Sequence, residues 1–574
     1  MALWDASVDF LVVGSGAAGM TAALRAHDVG GETLVIEKAA VYGGSTALSG
    51  GVAWVPNNPL MAQHGISDSA DQALRYLEIV TKGSVSKERL RAYIDAAPRM
   101  LATLAETSHV RFTCVTNYPD YYPEVEGGKP GGRSCEPAVF DALQLGAEFG
   151  AMRYPPPGKL AMGGRVAFKV ADAKALLAGG PSLTWFMLRG LLSYYTNFRA
   201  RRQGLCNTTL TLGRALVGRL RLSLMDRKVP VWLNTSIKEL ITEGGRVVGA
   251  AVEKQGKPVR VQARKGVLLA AGGFERNAAM RQHYQRPPVG SEWTGGCDAN
   301  TGDTIGLGTA IGASLDLMDE SWWCPSLLAP YPASDRSWMV IYEKNLPGSI
   351  VVNKRGRRFM NEAAPYDDVV KSMYAANTPE APAIPAFLIF DRSYRRKYAC
   401  GPLMPSYAAP DRFVRADLKA SFFTKDETLE GLARKIGVDA AGLAETVSRF
   451  NRAAVTGKDP EFHRGDSLQD RYYPGDTPGK NPNLGPLAQP PFYAVLLFPG
   501  DLGTKGGFRT DVHARVLTHG GEPIPGLYAA GNCSASVMGR SYPGAGATIG
   551  PAMTFGFLAA EHALGAGHEQ RAPD

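Results

Sequence analysis

Residues 9–51 read DFLVVGSGAAGMTAALRAHDVGGETLVIEKAAVYGGSTALSGG, and this stretch decides the fold. Phe10 to Val13 is a short apolar run that predicts a buried parallel strand. Gly14, Gly16 and Gly19 then give G-x-G-x-x-G. Ala17 to Ala26 is rich in helix formers, and Thr33 to Ile36 predicts a second strand that ends at Glu37. Each part suits a dinucleotide. Gly14 permits a tight turn, Gly16 lets the backbone approach a pyrophosphate, and Gly19 lets helix and strand pack closely. The phosphates would sit on the helix N-terminus, where N–H groups and the dipole favour negative charge. Glu37 follows Gly19 at a distance close to the roughly 20 residues expected for the carboxylate that bonds a ribose hydroxyl.

The motif alone is a weak signal, but here strand, helix, second strand and terminal acid stand in register. The next stretch, Gly43 to Gly51, is a second glycine-rich loop, GGSTALSGG. Its position just after the acid favours FAD over the shorter NAD, against the alternative of a plain surface loop.

Working outward, the chain of 574 residues exceeds what one core supports, so two or more domains are expected. A 45% apolar and 20% charged composition is that of a globular enzyme. The net charge of +9 is spread along the chain, which argues against a nucleic-acid partner and leaves an anionic membrane surface open. The seven cysteines are scattered without C-x-x-C, and the nine histidines lack ligand spacing. Reduced thiols and no metal site are expected, in the cytoplasm. The first strand comes too early to leave room for a secretory leader, and no apolar run reaches the roughly 18 residues of a spanning helix.

Helices are predicted over 68–82 and 86–106, and a strand over 110–115. Asn117 to Glu124 is an aromatic loop, NYPDYYPE, that is either wall packing or a substrate lid. Gly127 to Arg133 is expected to be a mobile glycine-rich turn. Leu183 to Phe198 (LTWFMLRGLLSYYTNF) is apolar and aromatic, with Arg199, Arg201 and Arg202 following. It would lie in a membrane interface or be buried at a domain or subunit contact. A helix over 210–227, a strand over 229–234, a hairpin over 237–253 and strands over 259–263 and 266–273 would complete the nucleotide-binding sheet. Asp303 is expected to cap the next helix or touch the cofactor. From Leu317 to Gly500 the glycine loops thin out, as in a second, substrate-side domain with helices over 426–435 and 439–452. The C-terminal part returns with strands over 511–517 and 526–531 and a helix over 547–564. The start of that helix carries free N–H donors able to stabilise a reduced flavin or a developing enolate.

Four stretches carry a resemblance: the N-terminal fingerprint, G-x-R-x-x-N-E-x-x-P-Y (Gly356 to Tyr366), D-L-G-T-K-G-G (Asp501 to Gly507) and G-L-Y-A-A-G-N…G-R-x-Y-P-G-x-G (Gly526 to Gly546). Together they resemble the flavin-dependent 3-ketosteroid dehydrogenases, nearest the Δ1-dehydrogenases, within the wider fumarate-reductase-like FAD family. The resemblance covers most of the chain except 151–202, which looks like the extra segment that ties some longer members to membranes. It implies an α/β fold: a Rossmann-like FAD-binding domain (1–316 and 501–574) with an inserted α+β substrate domain (317–500).

The resemblance further implies that Tyr366 is the base toward carbon 2 of the steroid A ring. Tyr121 would hydrogen-bond to that base. Tyr542 and the Gly546 amide would hold the 3-keto oxygen, and FAD would take hydride from carbon 1. It places Gly14, Ser15, Gly16, Ala17, Ala18, Gly19, Glu37 and Lys38 on the cofactor. The second loop would add Gly43, Gly44, Ser45, Thr46, Ser49, Gly50 and Gly51. Ile237, Ala271, Gly272, Asn300 and Asp303 would follow, then Gly531, Asn532, Ala547, Thr548 and Ile549. The partners implied are a 3-ketosteroid and an external electron acceptor such as a quinone, with peripheral membrane attachment through 183–202 left open. Ser45-Thr46 stands where the carboxylate-reducing branch can attach flavin to histidine, so non-covalent FAD is expected.

The rivals are a Δ4-(5α)-dehydrogenase, a fumarate reductase and a non-enzymatic lipid carrier. A fumarate reductase needs cations for two carboxylates, and Arg540 is the one cation in the C-terminal loop. The intact fingerprint opposes a carrier.

Overall fold

The computed structural model describes residues 4–155, 165–172, 180–198, 207–332, 336–474 and 481–566. Strand β1 (Ala6–Val13), helix α1 (Ala17–Asp28) and strand β2 (Thr33–Ile36) form the expected opening unit. β1 and β2 run parallel, from Phe10 opposite Thr33 to Val13 opposite Ile36. The apolar run is buried, as a central strand covered on both faces requires. A Cβ on Gly19 would stand 2.0 Å from the Gly14 carbonyl oxygen, so helix and strand approach more closely than any side chain permits.

On the other side of β1 lies β3 (Lys257–Leu269), parallel to it from Ala6 opposite Val261 to Val13 opposite Leu269. The two strands expected over 259–263 and 266–273 are thus one strand of 13 residues, and it ends before Ala270. The charged pair Arg264-Lys265 interrupts the apolar pattern without breaking the strand. Both side chains reach solvent, where Arg264 pairs with Asp9 and Glu32. The hairpin Thr235–Glu243 and Arg246–Lys254 extends from β3, and β4 (Pro523–Ala529) pairs parallel with β3. An eight-stranded sheet results.

Helix α2 (Gly180–Thr196) sits in the expected apolar segment. Trp185, Leu188, Leu192 and Tyr195 recur at three and four residues and so share one helical face, with Phe198 just beyond. They are 66%, 55%, 62%, 58% and 71% exposed, which corrects the alternative of burial at a contact within this chain. The other face docks on Val166, which lies where a Cβ on Gly190 would be.

Helix α3 (Tyr366–Ala376) follows the smaller, antiparallel sheet strand Ser349–Val352, which is paired in turn with Ala386–Phe390, Phe492–Leu497 and Thr424–Asp426. The helix expected from Asp426 begins at Leu429 instead. Asp426 ends a strand, and the Thr428 hydroxyl caps the helix through Gly431 N–H. A separate two-stranded sheet pairs Ser321–Trp323 with Asp501–Thr504. The strand expected from Asp511 starts at Arg515, because the Asp511 carboxylate accepts from the N–H groups of His513 and Arg515 and bends the chain first. Helix α4 (Ile549–Leu564) closes the fold against α1, a Cβ on Gly556 meeting the Ala18 carbonyl oxygen at 2.5 Å.

Candidate active site

The glycine turn is built to hold backbone close to a ligand. Gly14 has φ +113°, and a Cβ there would stand 2.3 Å from the Ala270 carbonyl oxygen. Gly16 is the N-cap of α1 and brings no capping side chain, so the helix start keeps its donors; Ala17 N–H reaches Thr46 Oγ1 at 3.0 Å. Glu37 Oε2 accepts from Ser15 Oγ–H (2.6 Å) and Oε1 from Ala39 N–H (2.9 Å). That carboxylate clamps the turn to the end of β2. Ser15 Oγ accepts in turn from Gly43 N–H, which joins the second glycine loop to the first.

Lys38 Nζ lies 2.6 Å from Asp303 Oδ2. Asp303 is the first residue of its helix (Asp303–Ala310), the cap is Gly302, and no side chain closes it. The capping role expected of Asp303 is therefore not made, because the carboxylate turns to Lys38 and Thr301. Asn300 bridges Ser45 Oγ and Glu275 Oε1 and stands behind Gly272. Gly531 lies against Ala18 and Ala552, and Asn532 Oδ1 accepts from the Trp322 indole N–H. Thr548 begins α4 without a capping bond. Ile237 lies apart from these contacts, buried in the hairpin. Two helix starts without side-chain caps, tight glycine turns and a carboxylate at the strand end fit a long anionic dinucleotide.

The three tyrosines named from the sequence meet in one buried cluster. Tyr121 donates its phenol proton to the Tyr366 oxygen at 2.6 Å. The Tyr542 ring packs edge-on to Tyr366, with centres 5.2 Å apart, and its hydroxyl is 3.3 Å from Thr548 Oγ1. Tyr366 is the first residue of α3, and Gly546 lies just before α4. Gly546 has φ +97°, and a Cβ would stand 2.6 Å from Trp54 N. Its carbonyl accepts from Trp54 N–H, while among the described residues no acceptor meets its own N–H.

Burial pushes the Tyr366 phenol well above its usual range; the neighbouring Tyr542 adds to this and the Tyr121 hydrogen bond opposes it. Burial likewise pushes Tyr542 up to about 12. A base and a neutral donor of this kind can abstract a proton next to a carbonyl and polarise that carbonyl.

Several residues that hold this cleft escape a sequence reading. Tyr121 N–H and the Tyr76 hydroxyl both donate to the Pro543 carbonyl, tying the aromatic loop to the C-terminal one. Buried Asp120 accepts from Arg133, Trp54 and Lys129 N–H, and Arg133 also pairs with Asp68. The 127–133 turn is therefore packed where mobility was expected: Arg133 is 1% exposed, and a Cβ on Gly131 would stand 2.0 Å from the Thr116 carbonyl. The aromatic loop is wall packing, with Tyr118 and Tyr121 buried; Tyr118 meets the Tyr473 hydroxyl at 2.5 Å. Buried Lys344 donates to the carbonyls of Glu362 and Ala364 and so fixes the approach to Tyr366. An acid set between Pro119 and Tyr121 in the aromatic loop is the one sequence signal for Asp120.

The FAD binding domain family matches residues 9–549, and the chain belongs to it. The chain is 45% identical over 566 residues to the 3-oxosteroid 1-dehydrogenase of Mycobacterium tuberculosis, covering 96% of this chain and 98% of that protein. It is 44% identical to that of Mycolicibacterium smegmatis, with 96% of each chain covered. The crystal structure of 3-ketosteroid delta1-dehydrogenase from Sterolibacterium denitrificans, in complex with 1,4-androstadiene-3,17-dione, superposes with TM-score 0.93 at 45% identity, over 98% of this chain and 100% of that one. Within the FAD-binding flavoproteins, the chain belongs with the 3-oxosteroid 1-dehydrogenases.

Proposed function

We propose that this protein desaturates the 1,2-bond of the A ring of 3-ketosteroids, using non-covalent FAD. The observation that carries this is the Tyr121–Tyr366–Tyr542 cluster. Tyr366 takes the carbon 2 proton. Tyr121 donates to the Tyr366 oxygen and so favours its ionised form against the effect of burial. Tyr542 O–H and Gly546 N–H receive the 3-keto oxygen and stabilise the enolate that develops there. When bound, FAD supplies the hydride acceptor for carbon 1. The 1–316 and 501–574 segments would hold FAD and 317–500 the far wall of the steroid site, with a quinone or similar acceptor reoxidising the enzyme.

Anaerobic mixing of the FAD-loaded protein with 4-androstene-3,17-dione tests this. Bleached flavin and a 1,4-diene product are expected. Unchanged flavin with that substrate, but bleaching by a saturated 5α-steroid, would move the reaction to the Δ4 position.

Peripheral attachment to a membrane belongs to the same proposal. Among the described residues no helix is long and apolar enough to cross a bilayer. The α2 face presents Trp185, Leu188, Leu192 and Tyr195 outward, and three arginines follow in the sequence, which suits an anionic lipid surface. Sedimentation with anionic vesicles is expected; failure to sediment would remove this part.

A further inference from the structure

Lys505 has no place in the chemistry above, yet it is completely buried. Its Nζ donates to the Ser541 carbonyl at 3.0 Å, one residue before Tyr542. The ammonium also lies 4.4 Å from the centre of the Trp322 ring and 5.9 Å from that of Tyr542. It lines a small cavity together with Arg89, Trp322 and three of the expected cofactor residues, Gly531, Asn532 and Thr548.

A buried cation is costly unless a charge or several hydrogen bonds offset it. Among the described residues, the Lys505 ammonium forms one hydrogen bond and no salt bridge. The carboxylates that act on it are Asp367 on α3 and Glu320, opposed by Lys371 on α3 and Arg540 in the C-terminal loop. Asp367 Oδ2 is engaged with Lys371 at 2.7 Å, while its Oδ1 meets no donor among the described residues, and Glu320 Oε1 is engaged with Arg540 at 2.9 Å. Burial pushes the ammonium down to about 8, so it remains charged at neutral pH. The fold thus keeps an under-compensated positive charge beside three of the expected cofactor residues.

The charge balance of the reaction supplies the missing partner. Carbon 1 loses a hydride, two electrons with one proton, and carbon 2 loses a proton to Tyr366. The steroid leaves neutral, and the flavin gains one unit of negative charge. We propose that Lys505 compensates this charge and so raises the reduction potential of the bound FAD. This rests on the FAD-dependent reading above. Charge near the flavin ring is one of the ways a protein tunes the cofactor.

Sulfite provides a readout independent of steroid turnover, because it adds to the oxidised flavin ring and leaves its negative charge there. Wild-type, Lys505→Met and Lys505→Arg holoenzymes would be titrated with sulfite, and their flavin potentials measured by dye equilibration. Lys505→Met should bind sulfite about tenfold more weakly, and its potential should fall by about 30 mV, the two-electron equivalent of a tenfold change. Lys505→Arg should keep both values near wild type. Unchanged sulfite affinity and potential in Lys505→Met would overturn the proposal even if turnover fell, since Lys505 would then serve only the Ser541–Tyr542 loop. Should Lys505→Met fail to hold FAD, the wild type decides. Its reduced flavin should show the anionic spectrum at mildly acid pH, where free reduced flavin is neutral, and the neutral spectrum would overturn the proposal. A wild type that binds no FAD would refute the underlying reading instead.

Discussion

The tyrosine cleft and helix α2 are built from the same kind of residue and end in opposite environments. Tyr121, Tyr366 and Tyr542 are 2%, 7% and 3% exposed, whereas Trp185 and Tyr195 of α2 are 66% and 58% exposed. Hydropathy does not separate them. The cleft is buried because polar groups anchor its loops at depth: Asp120 with Arg133, the Pro543 carbonyl with Tyr121 N–H, Lys344 with the 362–364 carbonyls. Helix α2 docks one face and leaves the other open. Buried hydrogen bonds hold the first set of aromatic residues at depth, and nothing of that kind holds the outer face of α2.

The largest effect that would break this contrast is expected at the base. Tyr366→Phe should lower kcat by about 100- to 10,000-fold, the span of a general base, with FAD retained. Stopped-flow reduction of the flavin measures it, and near-normal reduction would remove Tyr366 from the chemistry. Next comes the anchor. Arg133→Met leaves Asp68 and Asp120 buried without their cation and should cost about 3–5 kcal/mol of stability, read by denaturant unfolding.

Tyr121→Phe sharpens the electrostatic side. Its O–H donates to the Tyr366 oxygen and favours the phenolate, so removing it raises the Tyr366 pKa. The rising limb of the pH–rate profile should then move to higher pH, with a loss on the order of tenfold at neutral pH for one hydrogen bond to a charged oxygen. A profile that keeps its position would reduce Tyr121 to a packing role. The smallest effect is expected on α2. Trp185→Ser with Leu192→Ser should leave turnover unchanged and stability within about 0.5 kcal/mol, while lowering the fraction bound to anionic vesicles. A large loss of stability would mean that this face is covered in the native protein.

Much of the cofactor half was legible because its signals are local. A glycine turn, a strand and a terminal acid each act within a few residues, and Gly14, Gly19 and Glu37 stand where the spacing put them. Position within the motifs also selected Tyr121, Tyr366 and Tyr542, which lie far apart in the chain. The second part of the sheet was harder, since Arg264-Lys265 imitates a break although its side chains simply reach solvent. Of the two roles expected of Asp303, the cap is not made, because the carboxylate turns to Lys38, remote in sequence.

By itself, then, the sequence determined the dinucleotide turn and the parallel strands, because short-range sterics and periodicity encode them. Tertiary structure alone decided that Tyr121 donates to Tyr366, that buried Asp120 and Arg133 pair, that one face of α2 stays open and that Lys505 is buried against Trp322. Each of these depends on burial and on partners many residues away, and the energy of a charge or a phenol is set by those surroundings rather than by its neighbours in the chain.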